Sequence, residues 1–183
     1  YTKAMNQALR LSKGKYKVVL NPDTELFPDS IDVMINHMKS AKDIGIIGPK
    51  VINADGSFQK SCRRGIARPV AVFSYFLGLS ERYPLNKKFT GYHLNHLDEN
   101  TIHEVIGVSG SCMLINNKLI SEIGYFDERY FAYQEDSDYC LMAIDNGWKI
   151  YYNPNATAKH YGGRGGAHSL PSKALFEWHR SYF

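Results

Sequence analysis

The chain has 183 residues, of which 44% are hydrophobic and 13% aromatic, so it can bury one substantial core and is predicted to form a single domain. Its net charge of +4 is small and its Lys and Arg residues are mostly scattered, which argues against a nucleic-acid-binding surface. No apolar run is long enough to cross a bilayer. Cys62, Cys112 and Cys140 are widely spaced among apolar neighbours, a pattern typical of buried thiols, and we expect a cytoplasmic protein.

In the first half of the chain, helices and strands are predicted to alternate. The predicted elements are a helix over residues 1–12, a strand over 16–20, a helix over 28–42, a strand over 44–48, and a hairpin joining 51–52 to 58–62. Helical periodicity is present from Tyr1 on, without a preceding strand or cap. We therefore expect the chain to begin partway through a domain.

The second half continues this alternation. The predicted elements are a helix from Pro69, a poorly patterned connection over 81–103, strands over 104–109 and 112–115, helices over 117–123 and 135–146, strands over 148–152 and 157–160, and a helix from about 172. This order predicts an α/β fold with a mostly parallel sheet.

A short acidic segment opens the predicted helix at residue 135. Glu135, Asp136 and Asp138 follow an aromatic run that ends at Tyr133. Aromatic rings can raise the proton affinity of a carboxylate and can stack on a flat-faced ligand such as a sugar, which favours a general base here. The alternative is structural, because acids in the first turn of a helix complement its dipole.

Polar residues also follow two predicted strands. Ligand sites of open α/β sheets lie beyond the carboxyl ends of the strands, which makes Asn21, Asp23 and His160 candidates for a site that binds a divalent cation. Arg164, in a glycine-rich loop, could contact a diphosphate. The alternatives are an Asx turn at residue 21, an ordinary histidine and a flexible joint.

Two further segments suggest substrate contacts. The first is a basic cluster that could hold a phosphate or form a solvated strand end, and it comprises Lys60, Arg63, Arg64 and Arg68. The second is Ser109-Gly110-Ser111, which lacks the nucleophile-elbow pattern. Its small residues would either let a substrate approach or serve packing alone.

Seven segments in order resemble family 2 glycosyltransferases of the GT-A fold, especially the bacterial rhamnosyltransferase-like branch. They are residues 20–25, 61–64, 108–114, 124–131, 135–140, 147–148 and 160–163. The resemblance implies a GT-A-like, mixed and mostly parallel sheet flanked by helices, with residues 1–183 forming a single partial catalytic domain. The family's first βαβ part of the nucleotide-binding half has no counterpart before Tyr1. We therefore expect the chain alone to be nearly inactive.

The resemblance also implies roles for individual residues. Asp23 and His160 would be ligands of Mg²⁺ or Mn²⁺, and Asn21 would be a neutral substitute within the metal motif. Asp136 would be the general base. The residues expected to bind substrate are Glu135, Arg63, Arg64, Ser109, Gly110, Tyr133 and Arg164.

The implied function is transfer of a sugar such as rhamnose from a nucleoside-diphosphate donor, with inversion, in cell-wall or polysaccharide biosynthesis. The acceptor would be a glycan or a polyprenyl-diphosphate-linked sugar, and the protein would make peripheral contact with the inner face of the plasma membrane. The competing hypothesis is a non-catalytic module that binds sugar nucleotides or glycans.

Overall fold

The computed structural model describes residues 1–66, 70, 73–74, 77–131 and 133–162. The helices are α1 (Thr2–Leu11), α2 (Ser30–Ser40), α3 (Leu79–Arg82), α4 (Lys87–Thr90), α5 (Asn117–Ile123) and α6 (Glu135–Asp145), with a 3₁₀ turn at Lys60–Cys62. The strands are β1 (Tyr16–Leu20), β2 (Thr24–Leu26), β3 (Ile44–Ile52), β4 (Arg63–Arg64), β5 (His103–Glu104), β6 (Gly107–Val108), β7 (Cys112–Asn116) and β8 (Lys149–His160).

The main sheet has the strand order β1-β7-β3-β8-β2, with β5 also paired to β8. A separate two-stranded sheet joins β4 to β6. Both β3 and β7 are apolar and almost wholly buried, as expected for central strands covered on both faces. The mixed α/β architecture predicted from the sequence is confirmed.

The proportion of parallel pairing differs from the prediction of a mostly parallel sheet. Among the described strands, β3 and β8 pair in parallel, whereas the other pairings are antiparallel. The reason is that β7 lies antiparallel between β1 and β3. Strands β1, β3 and β8 therefore still run in one direction, and their carboxyl ends lie at the same edge of the sheet.

Helices pack on the sheet through apolar side chains. Met34 and Met38 of α2 are buried, as is Tyr139 of α6, whose ring stacks on Phe126 at a centroid distance of 4.2 Å. The three cysteines are free and buried, as predicted. Burial raises their thiol pKa values, for example to about 11 for Cys62.

Several element boundaries differ from the predictions. Residues 44–52 form one strand, of which Ile52 makes an antiparallel bridge to Phe58, and residues 149–160 also form one strand. The poorly patterned connection contains α3 and α4. The predicted terminal helix and most of the predicted helix from Pro69 lie outside the described residues. Within the described part of the chain, no helix is long and apolar enough to span a membrane.

Candidate active site

The carboxyl ends of β1 and β8 bring together the two residues predicted as metal ligands. Asp23 Oδ1 lies 3.2 Å from His160 Nε2, and both side chains are largely buried. Main-chain contacts fix this approach, because Thr24 pairs with His160 between β2 and β8 and the Tyr161 amide donates to the Asp23 carbonyl at 2.9 Å. The proximity expected from the strand ends is therefore found.

Gln59 orients the histidine from its other side. Its side-chain amide lies 3.2 Å from His160 Nδ1, which leaves Nε2 directed at Asp23. Gln59 follows the bridge between Ile52 and Phe58, so β3 carries it to the end of its neighbour β8. Gln59 is not predictable from the local sequence, because its place beside His160 depends on the pairing of β3 with β8.

Asn21 connects the end of β1 to the rest of the site. Its main-chain N–H donates to the Ser111 carbonyl at 3.0 Å. Its Oδ1 accepts a hydrogen bond from the Tyr1 hydroxyl at 2.8 Å. Tyr1 is not predictable as a site residue, since its position in a predicted helix gives no indication of a polar contact.

The acidic helix begins after a sharp turn of the backbone. Tyr133 and Gln134 have φ values of 68° and 66°, a left-handed conformation that non-glycine residues adopt at a cost in energy. This turn starts α6 at Glu135, so that Glu135 and Asp136 both lie in the buried first turn. The predicted start of this helix is confirmed.

Asp136 is held by a ring of donors. Arg64 donates from Nη1 to Oδ1 at 2.8 Å and from Nη2 to Oδ2 at 2.9 Å. The Gly110 amide donates to Oδ2 at 2.9 Å, and the Ser137 amide to Oδ1 at 2.7 Å. Burial alone would raise the pKa of Asp136, but the Arg64 charge and these hydrogen bonds lower it below the ordinary value.

Glu135 has a different environment. It is 7% exposed, and no described residue donates a hydrogen bond to its Oε2. Burial, together with the negative charge of Asp136, raises the pKa of Glu135 to about 7, against the opposing effect of Arg64. The two adjacent acids therefore differ in charge state near neutral pH.

The acidic helix and the metal-ligand candidates face a common space. Besides burial, the charges of Glu135, Asp136 and Asp23 all raise the pKa of the Tyr1 hydroxyl. The same hydroxyl is bonded to Asn21. The start of α6 and the loop after β1 thus lie around one side chain.

The segment at residues 109–111 lines this region with little side-chain bulk. A Cβ atom at Gly110 would lie 3.4 Å from Cβ of Asp136, in van der Waals contact with the acid. The Ser109 hydroxyl accepts from the Ser111 amide at 3.2 Å. Contact of Ser109 and Gly110 with substrate remains a prediction. The same is true of Tyr133, whose residue is 37% exposed.

The predicted basic cluster is dispersed. Lys60 pairs with Glu81 at the surface, Arg64 is bound to Asp136, and Arg68 lies outside the described residues. Arg164 also lies outside them.

Arg63 is not placed to bind a substrate. It is 1% exposed and lies against the rings of Phe58 and Tyr152, at 5.3 and 4.8 Å from their centroids. Its guanidinium donates to the carbonyl oxygens of Asp98 at 2.8 Å and Leu97 at 2.6 Å. Nη1 and Nη2 therefore hold the loop after α4, while Nε has no hydrogen-bond partner among the described residues, and this buried position corrects the predicted role.

The residues at the strand ends fit a hard divalent cation in part. Within the described ranges, no group of three His, Cys, Asp or Glu residues forms a ready metal cluster. The pair of Asp23 and His160 offers one carboxylate oxygen and one imidazole nitrogen. Such a pair suits Mg²⁺ or Mn²⁺ when phosphate oxygens of a bound nucleotide complete the coordination.

Comparisons with known proteins identify the family to which the chain is similar. The family model described as "Glycosyltransferase like family 2" matches residues 2–178. An N-acetylglucosaminyl-diphospho-decaprenol L-rhamnosyltransferase from Mycobacterium tuberculosis is 31% identical over 169 residues, which are 91% of this chain and 53% of the relative. The hexosyltransferase Agl10 of low-salt glycan biosynthesis in Haloferax volcanii is 25% identical over 147 residues, 78% of this chain and 42% of the relative.

A solved structure gives the same fold. GalNAc-T7, crystallised with UDP, GalNAc and Mn²⁺, superposes with a TM-score of 0.60 at 16% identity over 98% of this chain and 34% of its own. The chain spans about half the length, or less, of the curated relatives it matches. Since the family model covers nearly all of the sequence, the chain belongs to glycosyltransferase family 2, in its rhamnosyltransferase-like branch, and has a GT-A-type fold.

Proposed function

We propose that the protein transfers a sugar from a nucleoside-diphosphate donor to a glycan or polyprenyl-diphosphate-linked acceptor, with inversion at the anomeric carbon. One observation carries the proposal. The Asp23–His160 pair and the acids at the start of α6 lie around the same side chain, Tyr1. The proposed site for the donor's diphosphate thus lies next to two acids that could accept a proton.

L-Rhamnose is the donor sugar we propose first. The Mycobacterium tuberculosis relative is named for L-rhamnosyl transfer to N-acetylglucosaminyl-diphospho-decaprenol, and it is 31% identical over 91% of this chain. We propose that transfer to a lipid-linked diphosphate acceptor takes place at the inner face of a membrane, with the protein bound peripherally.

The residues of the site have complementary tasks in this reaction. Asp23 and His160 would hold Mg²⁺ or Mn²⁺, with Asn21 beside them. When bound, the cation would neutralise the charge that develops on the leaving diphosphate. Gln59 keeps the imidazole oriented, and the lack of a side chain at Gly110 would leave room for the acceptor near Asp136.

The catalytic groups near the site support the proposal of inversion. Among the described residues around the site, Glu135 and Asp136 are acids that could take a proton from the acceptor hydroxyl. In the described part of the chain, no histidine is bonded to a serine hydroxyl of the small segment Ser109–Ser111, so this segment gives no support for an activated serine nucleophile. A single displacement without a covalent intermediate inverts the anomeric centre.

The test is an assay of the full-length protein with a panel of nucleoside-diphosphate sugars and a polyprenyl-diphosphate-linked N-acetylglucosamine. We expect transfer from the L-rhamnose donor that requires Mg²⁺ or Mn²⁺ and gives a product of inverted anomeric configuration. Tight donor binding without turnover on any acceptor would instead support the non-catalytic module. Turnover that persists in excess chelator would overturn the metal-assisted mechanism.

A further inference from the structure

We propose that a chain of hydrogen-bonded side chains, here called the relay, fixes the tautomer of His160, so that Nε2 keeps its lone pair for a bound cation. The relay consists of Gln59, Asn53, Ser57 and Asp55. Its members act through the histidine and are positioning residues. This inference rests on the proposed metal-assisted transfer of a sugar and deepens it.

The tautomer of His160 decides whether it can bind a metal. A neutral imidazole carries one proton, on either Nδ1 or Nε2, and only the nitrogen without the proton can be a ligand. Nε2 lies 3.2 Å from Asp23 Oδ1, so it is the nitrogen that faces the proposed cation site. A proton on Nε2 would be attracted to this carboxylate and would take the place of the cation. The site therefore needs a group that holds the proton on Nδ1.

Gln59 contacts Nδ1 of His160, and it could do so with either end of its side-chain amide. Both Oε1 and Nε2 of Gln59 lie 3.2 Å from Nδ1. Oε1 can only accept a hydrogen bond, which requires a proton on Nδ1, whereas the amide nitrogen can only donate one, which requires a bare Nδ1. The tautomer thus depends on which way the amide is turned.

The contacts of the relay determine this orientation, starting from Asp55 at its outer end. Asp55 is ionised at neutral pH, since hydrogen bonds from the side chain and the main chain of Ser57 hold its pKa below the ordinary value. An ionised carboxylate only accepts hydrogen bonds, so the Ser57 hydroxyl, 2.6 Å from Asp55 Oδ1, must donate its proton there. The Ser57 oxygen is then left to accept from Asn53, whose Nδ2 lies 2.9 Å away.

Two amides pass this direction on to the imidazole. Because Asn53 donates to Ser57 from Nδ2, its Oδ1 accepts from Gln59 Nε2 at 3.0 Å. Gln59 therefore turns Oε1 toward His160, and Oε1 accepts from Nδ1–H. Reversing either amide would bring two donors or two acceptors face to face, which costs free energy. Asp55 thus sets the proton on Nδ1 without touching the histidine.

The main chain holds the members of the relay in place. Its outer part lies in the turn at residues 53–57, which is closed by a hydrogen bond of 2.8 Å from the Asn53 N–H to the Ser57 carbonyl. The Gln59 N–H donates to the Val51 carbonyl of β3 at 2.9 Å. The side chains of the relay therefore extend from backbone that is already ordered, and little further entropy is lost when they pair.

The first experiment measures Mn²⁺ binding to the full-length protein by isothermal titration calorimetry, with UDP or dTDP present, whichever the wild type binds more tightly. Gln59→Leu removes the acceptor for Nδ1–H and should weaken Mn²⁺ binding by about 10- to 100-fold, the usual effect of losing the partner of a metal-binding histidine. Ser57→Ala breaks the link to Asp55 and should weaken it by about two- to tenfold. Ser40→Ala, the matched control, removes an exposed hydroxyl bonded to the His37 carbonyl and should change nothing.

Gln59→Glu distinguishes the relay from a purely structural role of the turn. A carboxylate at position 59 can only accept from Nδ1–H, so it holds the proton there without help from the rest of the relay. Ser57→Ala should therefore lose its effect on Mn²⁺ binding in a protein that also carries Gln59→Glu. An equal effect of Ser57→Ala in both backgrounds would overturn the relay, because a packing role of Ser57 does not depend on the charge at position 59.

The second experiment observes the tautomer directly, without metal or nucleotide. Nitrogen-15 NMR shifts of the imidazole distinguish the two neutral tautomers, and spectra are recorded at about pH 9, above the ordinary pKa of a histidine. Asp23→Ala removes the carboxylate that attracts a proton to Nε2, while the contact with Gln59 remains. We expect the Nδ1–H tautomer of His160 in Asp23→Ala, and a mixture of tautomers when Ser57→Ala is added. A predominant Nε2–H tautomer in Asp23→Ala would overturn the inference.

The outcomes also separate this inference from the proposed function. If Mn²⁺ binding is lost in His160→Ala but is unchanged in Gln59→Leu, the proposed metal site stands and the relay alone is overturned. If the wild type binds Mn²⁺ with neither nucleotide, the proposed metal-assisted transfer fails, and the inferred purpose of the relay fails with it.

Discussion

Arg64 and Asp136 form a two-pronged ion pair, with Nη1–Oδ1 at 2.8 Å and Nη2–Oδ2 at 2.9 Å. The two side chains are 16% and 9% exposed, so water screens the pair only weakly. Planar, bidentate pairing of this kind gives defined geometry as well as attraction. The pair therefore joins the small sheet of β4 and β6 to the first turn of α6, where the candidate acids lie.

Removing the arginine should be costly. Arg64→Ala leaves the buried carboxylate of Asp136 without its counter-charge, and we expect a loss of about 3 kcal/mol in the free energy of unfolding, measured by urea denaturation. Lys60→Ala breaks the exposed pair with Glu81 and should cost no more than about 0.5 kcal/mol. Equal effects of the two substitutions would show that the Arg64–Asp136 pair has no special weight in the fold.

This pair also shows where sequence-based prediction stopped. Local patterns gave β1 at residues 16–20, α5 at 117–123 and the start of α6 at Glu135, because periodicity and capping are encoded within each segment. Arg64 and Asp136 are 72 positions apart, and their pairing depends on the register of β4 with β6. No local signal carries that information.

The candidate metal ligands were predictable for a different reason. A strand end is visible in the sequence, and the carboxyl ends of co-directional strands share an edge, so Asp23 and His160 could be expected to meet. The orientation of the imidazole by Gln59 could not, since it depends on how β3 pairs with β8. The hydrogen-bond partners of the site residues could be identified only from the structure.

The adjacent acids Glu135 and Asp136 make the free energy of unfolding depend on pH. Glu135 has a folded-state pKa of about 7, above the ordinary value for Glu. A raised folded-state pKa means that the stabilising contribution is complete below the unfolded-state pKa and is lost as the pH rises through about 7. Ionised Glu135 therefore destabilises the native protein at alkaline pH.

Glu135→Gln should make the protein more stable than the wild type at pH 8, because the amide stays neutral. The advantage should shrink as the pH falls toward 4, where the wild-type acid is protonated in the folded state and mostly protonated in the unfolded state. Chemical denaturation at a series of pH values measures this difference directly. A difference that does not change between pH 4 and pH 8 would contradict the burial of an ionisable Glu135.

The pair at the strand ends should control binding of the donor through the cation. Asp23→Ala and His160→Ala should each remove most of the Mn²⁺-dependent part of nucleoside-diphosphate binding, measured by isothermal titration calorimetry with and without Mn²⁺. Without nucleotide, Mn²⁺ should bind weakly, since two protein ligands leave the cation mostly hydrated.

The matched control for these variants is Asp43→Ala, which breaks an exposed ion pair with Lys149 at the other end of β8. It should leave Mn²⁺-dependent binding unchanged. Each variant should also retain cooperative thermal unfolding. If Asp23→Ala and His160→Ala bind the nucleotide and Mn²⁺ as the wild type does, their contact is structural and the cation is held elsewhere.

The last prediction separates Arg63 from the substrate. Its guanidinium donates to the carbonyls of Asp98 and Leu97 and is 1% exposed, so Arg63→Met should cost about 2 kcal/mol by leaving those carbonyls without charged donors. Amide hydrogen exchange should become faster in the 94–98 loop, while the KM for the donor changes less than about twofold. Arg82→Met, on the exposed face of α3, should alter neither quantity. A tenfold rise in donor KM with unchanged stability would return Arg63 to the phosphate-binding role that the basic cluster suggested.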